Sequence, residues 1–219
     1  MSVFFRRHLP HYHLPNATYF ITFRLAGSLP VEVVQRFQEE HEAELRRLEQ
    51  TLSGTALHQA RQEAQRRYFD RLDSLLDRAL HGPRWLLESE CARIVMTCIR
   101  ELDPTHYHLH AFCLMSNHVH LLIDQQDIPE PPARRDGKPY TALSRALRLL
   151  KGKSAALCNR HLGRSQEAFW QHESYDHVVR NEREYEHILT YIVNNPVKAG
   201  LVSDWQDWPY TFVAFLDNC

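Results

Sequence analysis

No stretch of this 219-residue chain stays apolar for the roughly 20 residues that crossing a bilayer demands, so no membrane-spanning helix is expected. The opening Met-Ser-Val-Phe-Phe-Arg-Arg puts its arginines after an apolar run too short for a secretory signal. Cytoplasm is therefore the expected location. Five cysteines (Cys91, Cys98, Cys113, Cys158 and Cys219) are odd in number and include no C-x-x-C pair. That argues against both a disulfide framework and a cysteine zinc site. An excess of charge is also missing, since the formal net charge is −1. The average gives no electrostatic case for a nucleic-acid partner. Internal repeats and low-complexity tracts are absent too.

What is present is unevenly distributed. From Arg134 to Arg164 the basic residues Arg134, Arg135, Lys138, Arg145, Arg148, Lys151, Lys153, Arg160 and Arg164 face one acid, Asp136. So one-sided a run predicts a phosphate-facing surface, with a solvated helix face as the plain alternative. The hydrophobic pattern predicts a strand over 17–25, followed by helices whose stripes are Val34, Phe37, His41, Leu45, Leu48 and Leu52, then Phe69, Leu72, Leu76 and Leu80. A third helix is expected over 85–102. Residues 107–123 read as two strands joined at Ser116-Asn117, and 127–139 as a loop. A helix over 141–162, a short strand over 175–180 and a helix over 182–195 complete the order. Pro196 is expected to stop that last helix. The class is α+β: an antiparallel sheet with helices packed on one side. Residues 1–219 are expected to form a single domain, with a helical insertion at approximately 31–102 between the first and second strands.

Histidine is abundant, with 15 residues and four H-x-H pairs: His11/His13, His106/His108, His108/His110 and His118/His120. Chance alone supplies about one such pair, so most serve something else. On a strand the spacing puts both imidazoles on one face, where they can share a metal ion. His118 and His120 are the pair of choice, because they open a strand directly after a turn. With a two-residue turn Met115 opposes His118 and Cys113 opposes His120, leaving His108 and His110 on the other face. A register slip of one residue reverses this. On the last helix Tyr191 and Asn195 lie four apart on one face, with His187 a turn earlier. A tyrosine can attack a phosphate whose oxygens a metal polarises, and an asparagine oxygen suits a hard cation such as Mg²⁺ or Mn²⁺. Read singly, Tyr191 serves equally as a packed aromatic and Asn195 as a helix end.

His118-Val119-His120 together with Tyr191-Ile-Val-Asn-Asn-Pro-Val-Lys-Ala-Gly200 resembles the REP-associated tyrosine transposases, members of the HUH single-tyrosine transposases. Ala17-Thr-Tyr-Phe-Ile-Thr-Phe-Arg24, Phe169-Trp170-Gln171 and Asp176-His-Val-Val-Arg180 extend the resemblance over well more than half the chain. It implies a ferredoxin-like HUH fold and a metal held by His118, His120 and Asn195. It also implies Tyr191 as the nucleophile that forms a 5′-phosphotyrosine and frees a 3′-OH. The implied substrate is single-stranded DNA with palindromic hairpins and flanking guide sequences. The basic helix and the N-terminal strand are expected to supply the DNA contacts Arg24, Arg145, Arg148, Lys151, Lys153 and Arg160. Monomeric and homodimeric forms both occur among such enzymes. Two departures stand out: Ser116 occupies the place of a common proline, and the helical region 31–102 is longer than in compact members. Tyr175 is a rival nucleophile without an amide one helical turn away. The alternative function is a domesticated DNA-binding protein that keeps the fold without catalysis.

Overall fold

The computed structural model describes residues 3–6, 10–132 and 140–214. Arg134, Arg135, Lys138, Cys219 and the second half of the expected 127–139 loop lie outside these, as do the side chains of His11 and His13. The chain forms two compact units, one of residues 1–26 and 84–219 and the other of residues 27–83.

In the first unit, β1 (Val3–Arg6) and β2 (Pro10–His13) make an antiparallel hairpin. The principal sheet begins with β3 (Thr18–Arg24). It continues, beyond the second unit, with β4 (His108–Leu114) and β5 (His118–Asp124), then β6 (Tyr175–Val179) and β7 (Thr211–Val213). All pairings are antiparallel in the order β6-β3-β5-β4-β7. β7 has only three residues, too few for an alternation to register in the sequence. The central strand β5 is buried along nearly its whole length. Its residues Val119, Leu121 and Ile123 join Tyr19, Ile21, Phe23 and Leu25 of β3 in the main core.

That core is closed by Cys91, Val95, Cys98 and Ile99 from a helix over Ser89–Arg100 and by Leu143, Ala146 and Leu150 from one over Ala142–His161. The helix over Glu182–Lys198 packs against β4 and β5 and bonds to His120, on the face opposite the core. Helices therefore cover both faces of the sheet, not one side as expected. The sequence shows the apolar stripes of these helices but not which face each stripe meets. The four described cysteines are buried and form no disulfide.

The second unit is a pair of helices, α1 (Val31–Thr51) and α2 (Gly54–Arg78). In chain order the helices of the first unit are then α3 (Ser89–Arg100), α4 (Ala142–His161) and α5 (Glu182–Lys198). α3, which the expected insertion included, belongs to the sheet unit. Only two residues join α1 to α2, which forces an antiparallel hairpin. Its ion pairs run in reverse register: Glu49 with Arg61, Glu44 with Arg67 and Glu40 with Arg71. Such exposed pairs each stabilise by at most about 1 kcal/mol, so the apolar seam carries more. There His41 stacks on Tyr68 with ring centroids 4.7 Å apart and meets Gln65 at 3.0 Å. At the base, a Cβ on Gly82 would lie 2.1 Å from the carbonyl oxygen of Gly27, and Gly82 has φ +71°. Only glycine fits there. The hairpin consequently leaves and re-enters at one point. Among the described residues, no helix is long and apolar enough to cross a membrane.

α5 departs from expectation in a way that matters below. Asn181 caps its start, accepting from Glu184 N at 3.0 Å. Its end is not at Pro196 but at Lys198. Proline removes one N–H, here the donor that Ile192 O would have received. So close to the helix end that loss is outweighed by a closed C-terminus. Leu201 N donates to Pro196 O and Gly200 N to Val197 O, each at 2.9 Å, with Gly200 at φ +70°. That is a Schellman closure, so Gly200 is the stop.

Candidate active site

Two side chains of β5 and one of α5 meet on the sheet face that α5 covers. Thr22 of β3 pairs in register with His120, and its Oγ1 lies 2.8 Å from His120 Nδ1. His118 Nδ1 donates to Asn117 Oδ1 at 2.7 Å. With that tautomer the Nε2 of His118 presents a lone pair. It faces the Nε2 of His120 at 3.0 Å. Asn195 Nδ2 is 2.8 Å from the same His120 Nε2, while Asn195 Oδ1 is buried without a hydrogen-bond partner. His118, His120 and Asn195 are all fully buried.

In this arrangement His120 Nε2 accepts from Asn195 Nδ2, and the two imidazole nitrogens lie 3.0 Å apart beside an orphaned amide oxygen; turning the amide would bring that oxygen to a cation shared by both rings. Imidazoles bound to one ion at about 2.1 Å in adjacent positions have nitrogens separated by close to the distance seen here. The Nδ1 partners, Thr22 and Asn117, are the outer contacts that orient ligating histidines. The donor set of two nitrogens and a neutral oxygen thus fits a divalent ion. Burial, reinforced by the positive charge of Lys198, lowers the His120 pKa to about 3. The ring is neutral, as a metal ligand must be, throughout the physiological range.

Tyr191 stands one turn before Asn195, half-buried against His120. Its ring meets His120 edge-on at 5.3 Å and Phe20 at 5.9 Å. Phe20 in turn stacks on His120 at 5.7 Å. Tyr175 opens β6 opposite Thr22 and sits edge-on to Phe20 at 6.3 Å. Both tyrosines reach this face, and Tyr191 is the one packed on a histidine of the cluster. His187 is exposed on α5.

Cys113 opposes His120 and Met115 N bonds to His118 O, the register anticipated. The expectation that His108 and His110 point to the other face is overturned. A β-bulge between Leu109 and Ala111 inserts His110, and this shifts the pairing by one residue. His110 Nδ1 accordingly meets the hydroxyl of Tyr185 on α5 at 2.9 Å. His108 is exposed, with its Nε2 3.0 Å from Gln126 O.

The expected DNA-facing cations fare differently from one another. Arg145, Arg148 and Arg160 are exposed on α4. Lys151 is engaged internally: its Nζ donates to Gln171 O at 2.7 Å, His172 O at 2.9 Å and Ser174 Oγ at 3.1 Å. Lys153 is paired with Glu101, which caps the end of α3. Arg24 pairs in register with His118 and is half-buried. The contributions of Thr22 and Asn117 were not anticipated. Strand pairing of 17–25 with 118–124 would have been the signal for Thr22.

A family model described as "Transposase IS200 like" matches residues 84–195. A protein of Haemophilus influenzae described as a REP-associated tyrosine transposase is 30% identical over 102 residues, covering 46% of this chain and 56% of the relative. A REP-associated tyrosine transposase of Escherichia coli is 43% identical over 42 residues, covering 19% of this chain and 26% of the relative. The chain thus matches little more than half the length of the first of these relatives and about a quarter of the second. Among solved structures, one titled as a REP-associated tyrosine transposase bound to a REP hairpin overlays with a TM-score of 0.48 at 18% identity. The overlay covers 94% of this chain and 80% of that one.

Proposed function

Since this chain belongs to the IS200-like transposase family, we propose that it is a metal-dependent single-stranded DNA endonuclease and strand transferase with Tyr191 as its nucleophile. The proposed substrate is single-stranded DNA that folds into a palindromic hairpin with adjacent unpaired bases. One observation carries the reading: Tyr191 packs on His120 while Asn195, one turn later, touches the Nε2 of the same histidine.

His118, His120 and Asn195 would hold Mg²⁺ or Mn²⁺, which when bound draws negative charge from the phosphate oxygens. Tyr191 Oη attacks the phosphorus, the P–O3′ bond breaks, the phenolic proton leaves and the 3′ oxygen gains one. The product is a 5′-phosphotyrosine with a free 3′-OH. Attack by another 3′-OH on that link restores a phosphodiester and the phenol, so strands join without an external energy source. Phe20 and His120 fix the ring so that attack starts from one direction. Exposed Arg145, Arg148 and Arg160, with Arg24 beside His118, supply the phosphate contacts. Lys151 and Lys153 act chiefly through the contacts they already make. We read 1–219 as one domain of this type carrying the α1–α2 hairpin as an insertion, working in the cytoplasm as a monomer or homodimer.

The test is trapping of a covalent protein–DNA adduct on a labelled single-stranded hairpin with Mg²⁺ or Mn²⁺. The expected outcome is an adduct with the intact protein and with Tyr175→Phe, and none with Tyr191→Phe. An adduct that persists in Tyr191→Phe, or metal-dependent cleavage that never passes through one, sinks the assignment. The second of those results would point to water as the nucleophile.

A further inference from the structure

α5 runs unbroken past Pro196, and this places a third functional group on the Tyr191 face. Tyr191, Asn195 and Lys198 stand at i, i+4 and i+7, one stripe of a helix. Had the helix ended at Pro196, Lys198 would have no fixed relation to the tyrosine. As it is, Lys198 Nζ lies 5.4 Å from the centroid of the Tyr191 ring. We propose that Lys198 is a catalytic residue whose ammonium binds the scissile phosphate across the face of Tyr191.

The inference rests on the reading of Tyr191 as nucleophile and deepens it. A phosphate attacked by the phenolic oxygen must sit beside this ring, within the swing of a four-carbon side chain anchored two turns away. Lysine suits that position, since its ammonium is a compact charge with three rotatable donors that can follow a moving oxygen. During transfer the P–O3′ bond breaks as the tyrosine–phosphorus bond forms, and charge spreads over the non-bridging oxygens. A fixed cation beside them lowers that barrier. Lys198 is neither base nor acid in this step. The phenolic proton leaves and the 3′ oxygen is protonated independently of it. After the break the ammonium remains paired with the phosphotyrosine, holding it for the incoming 3′-OH.

A purely structural role is the competing account, because a cation in the last helical turn is favoured by the helix dipole. The experiment separates the two by single-turnover cleavage of a labelled hairpin with Mn²⁺ over a range of protein concentrations, for the intact protein, Lys198→Gln and Lys198→Arg. The rate at saturation is expected to fall roughly 10- to 100-fold in Lys198→Gln, the scale of one lost charge-assisted contact. The half-saturating concentration should stay within about threefold, and Lys198→Arg should recover most of the rate. Unfolding midpoints should agree within about 2 °C, since the residue is exposed. A saturated rate equal to that of the intact protein overturns the proposal, as does a loss confined to half-saturation. Equal losses in the arginine and glutamine variants also overturn it. If the intact protein forms no adduct, the reading of Tyr191 fails first. An adduct in the intact protein with an unchanged rate in Lys198→Gln leaves that reading standing and removes Lys198 alone.

Discussion

The proposed site would ask three things of His120 at once: to be oriented through Nδ1, to coordinate through Nε2 and to pack its ring against Phe20 and Tyr191. The first depends on a single hydroxyl, that of Thr22. Thr22→Val keeps the shape and the β-branch but leaves a buried ring nitrogen without its partner. An unpaired buried donor costs about 1–3 kcal/mol, and loss of an outer partner weakens a metal site by roughly 10- to 100-fold. Calorimetric titration of the variant with Mn²⁺ is expected to show a drop of that size. Unchanged affinity would remove Thr22 from the site. Neither this pairing nor that of Asn117 with His118 was legible in the residues alone. The first requires knowing which strand lies beside which, since pairing across about one hundred residues leaves no local periodicity; the second joins chain neighbours and requires knowing how the turn aims the Asn117 side chain.

At the scale of the element, α5 is where sequence reasoning came nearest to the site and yet stopped short. Tyr191 and Asn195 were placed correctly on one face because four-residue spacing is independent of where the helix ends. Lys198 was hidden because proline is generally a reliable terminator, its interior cost being about 3 kcal/mol. The rule weakens within the last turn, where Leu201 N and Gly200 N close the helix instead. Gly200→Ala tests that account. An added Cβ meets nothing within 4 Å, so the cost is only that of a left-handed backbone, about 1–2 kcal/mol. Thermal unfolding should shift down by roughly 2–8 °C; no shift would mean that Gly200 is not the stop. The bulge at His110 hid a register in the same way. An extra residue within a strand changes no composition, yet it turns His110 toward Tyr185 on α5.

For the molecule as a whole, the sheet unit contains its own core. Every residue of the main apolar cluster, from Tyr19 to Trp170, lies outside 27–83. Because Gly27 and Gly82 touch, replacing 27–83 by a turn of about four residues should close without strain. Circular dichroism is expected to show less helix but a cooperative melt. Loss of cooperativity would show that the hairpin is part of the fold and not an insertion into it. The overall α+β plan was readable because strand and helix periods differ. The covering of both sheet faces was not, since an apolar stripe does not name its partner. On β5 that two-sided burial has a further result. Val119, Leu121 and Ile123 belong to the core, whereas His118 and His120 face α5 at the proposed metal site. Substitutions along this strand therefore erode the protein in two separate currencies at a period of two. At odd positions the expected loss is of folded protein; at the histidines, which are as deeply buried, loss of Mn²⁺ binding is expected on top of it.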